Sequence, residues 1–86
     1  MYDKALVYSK ENCPYCIAAI NLLRIKNITV DKKTLGVDIT KEQLLEKVPN
    51  AKTVPQIFLY KNSEEVYIGG YDKLKELFDA TTGTTS

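Results

Sequence analysis

Cys13 and Cys16 are the only cysteines of the 86-residue chain, with Pro14 and Tyr15 between them. A pair at this spacing can hold a metal, close a staple or exchange electrons. Zinc takes four protein ligands, or three and a water. The chain has no histidine, so a mononuclear site would have to recruit carboxylates or a second subunit. As a staple the pair is weak, because so short a loop restrains little of the unfolded chain. Two ordinary cysteines at a helix start are the plain alternative. Electron exchange explains more of the local chemistry. Cys13 is expected at a helix N-cap and Cys16 one turn inside, on the same face. Unpaired backbone N–H groups and the positive end of the helix dipole favour a thiolate at Cys13. Lys10 adds positive charge nearby. The thiolate is the nucleophilic form, so Cys13 is the expected attacking sulfur and Cys16 the resolving one.

The elements around this pair follow from apolar patterning. Ala5 to Tyr8 is a short, bulky run that reads as a buried strand. Pro14 suits the first turn of a helix, along which Ile17, Ala19, Ile20, Leu23 and Ile25 form the expected apolar stripe. Lys26 and Asn27 suit its end, as a cation and a residue that tolerates a left-handed cap. Ile28 to Val30 reads as a second strand, with a polar continuation through Lys33. Thr40 and Gln43 match a capping box, opening a helix that uses Leu44, Leu45 and Val48 and ends by Pro49. Gln56–Tyr60 and Glu65–Ile68 read as strands joined by a hairpin turn over residues 61–64. Gly69-Gly70 breaks the second of these, and Asp72 is the expected N-cap of a last helix carrying Leu74, Leu77 and Phe78. The order is β-α-β-α-β-β-α. It predicts an α/β fold: a parallel pair with a right-handed crossover, then an antiparallel hairpin, giving a four-stranded mixed sheet with helices on both faces. A C-x-x-C pair in such a βαβ setting is the pattern of a thioredoxin-like redox protein.

Length allows one small domain, expected over residues 1–80, with a polar tail at 81–86 that frays. Twelve Lys and Arg are interspersed with eleven Asp and Glu, for a net charge of +1. With no basic stripe, nucleic-acid binding gains no support. No apolar run is long enough to span a bilayer, and the N-terminal residues lack a signal-peptide pattern. Two cysteines are too few for a secreted disulfide scaffold, so a reducing cytoplasm is the default location.

Four features together resemble the dithiol class of glutaredoxins. They are Cys13-Pro14-Tyr15-Cys16 after the first strand, Lys10 upstream of it, Thr53-Val54-Pro55 before the third strand, and Gly69-Gly70-Tyr71-Asp72 after the fourth. The resemblance spans Ala5 to Phe78 and implies a glutathione-disulfide oxidoreductase of thioredoxin-like fold. Glutathione would be the co-substrate, with no metal. Protein disulfides and glutathione mixed disulfides would be the substrates, ribonucleotide reductase among them, and the protein would act as a monomer. The resemblance also implies a cis Val54–Pro55 bond, tolerable because the second residue is proline. That turn would offer the Val54 backbone to the glutathione cysteine as an added strand; otherwise Pro55 merely starts an edge strand. Gly69 and Gly70 would allow close approach. The N–H groups of Tyr71 and Asp72 would hold the γ-glutamyl carboxylate, and the Asp72 side chain the γ-glutamyl amine. Lys10 and Lys52 would meet the glycyl carboxylate, unless each is simply a solvated lysine. Tyr15 either lines the groove beside Cys13 or packs on the surface.

The chain departs from the family pattern at three points. Lys52 stands where many relatives carry Arg, replacing a two-pronged clamp with a point charge. Tyr71 stands where a small residue is common. Glu42 and Gln43 compete for the position of a glycine-binding glutamine, and neither is assigned. One rival is a redoxin of the same fold reduced by thioredoxin reductase. Such proteins end in a Trp-Ser-Gly-Phe-Arg-Pro-like segment, which the chain lacks. The other rival is a dimer holding a [2Fe–2S] cluster with glutathione. Pro14 and the paired thiols argue against it.

Overall fold

The computed structural model describes residues 2–82, with side chains through Asp79. In chain order the elements are β1 (Lys4–Ser9), α1 (Pro14–Ile25), β2 (Thr29–Thr34), α2 (Lys41–Lys47), β3 (Gln56–Lys61), β4 (Glu64–Gly69) and α3 (Tyr71–Thr82). The strands lie in the order β2-β1-β3-β4. β1 runs parallel to β2 and antiparallel to β3, and β3 and β4 form the antiparallel hairpin. This is the expected mixed sheet of a thioredoxin-like fold.

Period-2 alternation splits the strands between two cores. On one face Ala5, Val7, Ile57 and Leu59 meet Ala19, Ile20 and Leu23 of α1 and Leu74 and Phe78 of α3. On the other, Tyr8 and Phe58 meet Leu44 and Val48 at the end of α2. Val7, Leu23, Ile57, Leu59 and Leu74 are essentially inaccessible to solvent. Each contributes about 1.5–3 kcal/mol of burial, and together they fix the sheet against α1 and α3.

The helix ends are built as the sequence indicates. Cys13 caps α1, and Pro14 is its first residue. At the far end Asn27 adopts φ 62°. The Ile28 N–H then reaches the Leu23 carbonyl at 3.0 Å and the Asn27 N–H the Arg24 carbonyl at 2.9 Å. That is a Schellman motif with Asn in the left-handed position. Thr40 and Gln43 form both halves of the capping box on α2, at 3.1 and 2.8 Å.

Two expectations need correction. The buried face of α1 is Cys16, Ala19, Ile20 and Leu23, whereas Ile17 and Ile25 are 58% and 74% exposed. A 3.6-residue period carries both round to the solvent side. Asp72 is not the cap of α3. The helix begins at Tyr71, and the Gly70 carbonyl accepts the Leu74 N–H at 3.1 Å, so Gly70 caps and Asp72 lies in the first turn. α3 runs through Thr82, and residues 83–86 of the expected tail lie outside the described residues.

Candidate active site

β1 delivers the chain to the cysteine pair at the top of the first core. Asn12, at φ 59°, turns the backbone so that Cys13 begins the helix; asparagine tolerates this conformation better than most residues. Cys13 and Cys16 form a disulfide with Cα atoms 5.3 Å apart. Both are buried, Cys16 at 2% exposure and Cys13 at 6%. The Cys16 N–H donates to Cys13 Sγ at 3.3 Å. When the pair is reduced, this N–H favours the charged form of Cys13, as the helix terminus itself does.

Two further segments converge on the pair. The Val54–Pro55 peptide is cis, and the Val54 carbonyl oxygen lies 3.9 Å from Cys13 Sγ. From the other side comes the start of α3. Gly69 adopts φ +113°, which only glycine accepts readily. Gly70 needs no such freedom, and a Cβ there would stand 3.7 Å from the Pro55 carbonyl oxygen, an ordinary contact. Of the two glycines, only Gly69 is dictated by its own backbone conformation.

These segments enclose a groove with two lobes. One, of about 460 Å³, is lined by Tyr15, Thr53, Val54, Pro55, Gly70, Tyr71, Asp72 and Lys73. The other, of about 270 Å³, has Lys10, Lys41 and Lys52 about an apolar lining that includes Leu35, Leu44, Leu45 and Ala51. Thr53 and Val54 belong to both. Every residue that the resemblance assigns to ligand binding therefore lines one lobe or the other. Neither cysteine is a wall residue; Cys13 meets the groove through Val54.

Two lining lysines were not singled out in the sequence. Lys41 is the first residue of α2 and lines the smaller lobe beside Lys10 and Lys52. The Gln43 side chain is turned back onto the Thr40 N–H, and neither Glu42 nor Gln43 lines the groove. The signal was present in the capping box, which commits Gln43. Lys73 gave no sign, because a lysine after a helix-start Asp reads as solvated. Among the described residues, Lys10, Lys41 and Lys52 have no carboxylate within ion-pair distance.

A dithiol pair capping the helix after the first strand, beside a cis-proline turn on a four-stranded mixed sheet, defines a thiol–disulfide oxidoreductase of thioredoxin-like fold. Among the described residues no group of three or more His, Cys, Asp or Glu is placed to hold a metal. No described helix is long and apolar enough to cross a membrane. The glutaredoxin family model matches residues 5–63. Glutaredoxin 3 of Escherichia coli is 36% identical over 77 residues, covering 90% of this chain and 87% of that protein. Glutaredoxin 1 of Rickettsia felis is 35% identical over 74 residues, covering 84% and 69%. The crystal structure of glutaredoxin 1 from Francisella tularensis, complexed with cacodylate, superposes with a TM-score of 0.70 at 27% identity, over 92% of this chain and 95% of that one. The chain belongs to the glutaredoxin family.

Proposed function

We propose that the protein reduces glutathione mixed disulfides and protein disulfides at the expense of glutathione. The observation that carries this reading is the charge layout of the groove. Glutathione has one carboxylate at its glycyl end and an amine and a carboxylate at its γ-glutamyl end. The smaller lobe offers Lys10, Lys41 and Lys52. The larger offers the Asp72 side chain and the N-terminus of α3, which suit an amine and a carboxylate. Between them Val54 presents its backbone beside Cys13, where an extended tripeptide would pair with it.

The chemistry is thiol–disulfide exchange. The Cys13 thiolate attacks the glutathionyl sulfur of a mixed disulfide, forming a Cys13–glutathione disulfide and expelling the substrate thiolate. A second glutathione thiolate attacks the bound glutathionyl sulfur, releasing glutathione disulfide and regenerating Cys13. This route needs one protein thiol. With a protein disulfide, Cys13 forms a mixed disulfide with the substrate and expels its other sulfur as thiolate. Cys16 then attacks Cys13 Sγ, freeing the reduced substrate and leaving the Cys13–Cys16 disulfide. Two glutathiones restore the dithiol. We place this activity in the cytoplasm, in a monomer acting on disulfide-bonded or glutathionylated proteins, with ribonucleotide reductase a client to try first.

The test is glutathione-driven reduction of a small glutathionylated disulfide by wild type, Cys16→Ser and Cys13→Ser. Activity retained in Cys16→Ser and abolished in Cys13→Ser is the expected result. A wild type inert with glutathione sinks the reading.

A further inference from the structure

Gln56, the first residue of β3, is a buried amide at 6% exposure. Its Nε2 donates to the Thr53 carbonyl at 2.8 Å, and its Oε1 accepts from the Tyr67 hydroxyl at 2.5 Å. A carbonyl oxygen only accepts, so the amide must turn its NH₂ to Thr53 and leave its oxygen for the phenol. The Tyr67 hydroxyl thus holds the orientation that Thr53 requires. Tyr67 itself is 51% exposed, and its ring rests against Phe58 with centroids 5.1 Å apart.

A β-bulge brings these groups together. The pairing of β3 with β4 steps from Phe58 opposite Tyr67 to Ile57 opposite Gly69, so Ile68 is an extra residue in β4. Bulges re-aim neighbouring side chains. Here Tyr67 stands opposite Phe58 and diagonal to Gln56, within reach of a long side chain.

Thr53 and Val54 are the residues shared by both lobes of the groove. The Thr53–Val54 peptide is trans, the cis bond being the next one, so its C=O and N–H point in opposite directions. With the Thr53 carbonyl tied to a buried amide, the Val54 N–H is turned the other way. Among the described residues it meets no acceptor.

We infer that Tyr67, Gln56 and Thr53 form a positioning relay that keeps the Val54 N–H aimed into the groove, ready for the backbone of an extended thiol peptide. Tyr67 is a positioning residue: it acts through Gln56 and touches no substrate. The inference deepens the glutathione reading, and its activity test rests on that reading.

The experiment compares wild type, Tyr67→Phe and Tyr60→Phe. Tyr60→Phe removes a hydroxyl bonded to Glu65, away from the groove. Steady-state kinetics use a glutathionylated peptide with glutathione as reductant. Exchange of the Gln56 side-chain amide protons is followed by NMR in the protein alone. Tyr67→Phe should raise KM for the peptide by about three- to tenfold, the range of one hydrogen bond, and leave kcat in place. It should also speed exchange of the Gln56 amide, while Tyr60→Phe does neither. An unchanged KM in Tyr67→Phe overturns the relay. So does an equal rise in Tyr60→Phe, or a parallel fall of kcat and melting temperature. If wild type is inert with glutathione, the proposed activity fails on its own. The relay is then judged by exchange: faster Gln56 exchange in Tyr67→Phe alone supports it, and an unchanged rate overturns it.

Discussion

Tyr15, near the start of α1, and Tyr71, at the start of α3, form an aromatic pair on the wall of the larger lobe of the groove. Their ring centroids are 6.1 Å apart with 35° between the planes. Tyr15 is 64% exposed, whereas Tyr71 also packs on the first core. Tyr71→Ser should therefore lower stability by about 1–2 kcal/mol through lost burial and the lost ring pair, read by denaturant titration. It should also raise KM for a glutathionylated peptide, because an apolar wall is gone. Tyr71→Phe should keep both. Equal KM values for Tyr71→Ser and wild type would show that the ring does not contact the ligand.

Two of the three lysines of the smaller lobe, Lys41 and Lys52, give a graded series of variants. Lys52→Ala and Lys41→Ala should each raise KM for glutathione about two- to fivefold at low salt, the range of an exposed charge contact. The difference should shrink as salt screens the charge. Lys52→Arg should lower KM, since a guanidinium can grip a carboxylate with two parallel hydrogen bonds. Kinetics at two ionic strengths check all three.

Away from the groove, Lys47 of α2 pairs with Glu65 of β4 at 2.5 Å, and the Tyr60 hydroxyl bonds the same carboxylate at 3.1 Å. The hydrogen bond from Lys47 holds the Glu65 carboxyl below its usual 4.5. The reciprocal bond to Glu65 lifts Lys47 above 10.5. The stabilisation is full between those two usual values. It is lost as pH falls through the lowered Glu65 value or rises through the raised Lys47 value. Both side chains are about a third exposed, so screening limits the pair to about 0.5–1 kcal/mol. Glu65→Gln should thus destabilise at pH 7 and converge with wild type in acid, measured by denaturant midpoints across pH.

The β3–β4 turn carries a correctable flaw. Asn62 and Ser63 both have positive φ, 52° and 70°, as a type I′ hairpin turn requires. Asparagine suits this region, and serine suits it less well than glycine. Ser63→Gly should stabilise by about 0.5–1 kcal/mol and raise the melting temperature without altering activity. A lower melting temperature would refute this.

The pattern of success in the sequence follows physical range. Local signals held: Pro14 and Cys13 at a helix start, the Thr40–Gln43 box, and Asn27 as a left-handed cap are each decided within a few residues. The groove residues were legible because a family resemblance, not periodicity, tied Lys10, Thr53 and Asp72 together across the chain. Failures came where a neighbour distant in sequence decides. Ile17 and Ile25 are apolar yet exposed, because only the face of α1 towards the sheet and α3 is covered. Asp72 loses the cap to Gly70 because α3 already begins at Tyr71, with the Gly70 carbonyl accepting the Leu74 N–H. The hydrogen bond between Tyr67 and Gln56 spans two strands and an irregular register, which no local pattern announces.

The strand order β2-β1-β3-β4 leaves β2 and β4 as the free margins of the sheet. Asp31, Lys32 and Lys33 lie along β2, and Glu64 and Glu65 open β4, which the bulge then twists. Charges and irregularity at sheet margins discourage edge-to-edge association with stray strands. For a protein proposed to handle loosened, disulfide-bearing chains, this matters. On that proposal, extended clients would be discouraged from the margins, where pairing would be open-ended aggregation, and would meet the chain at Val54, beside the cysteine that reacts with them.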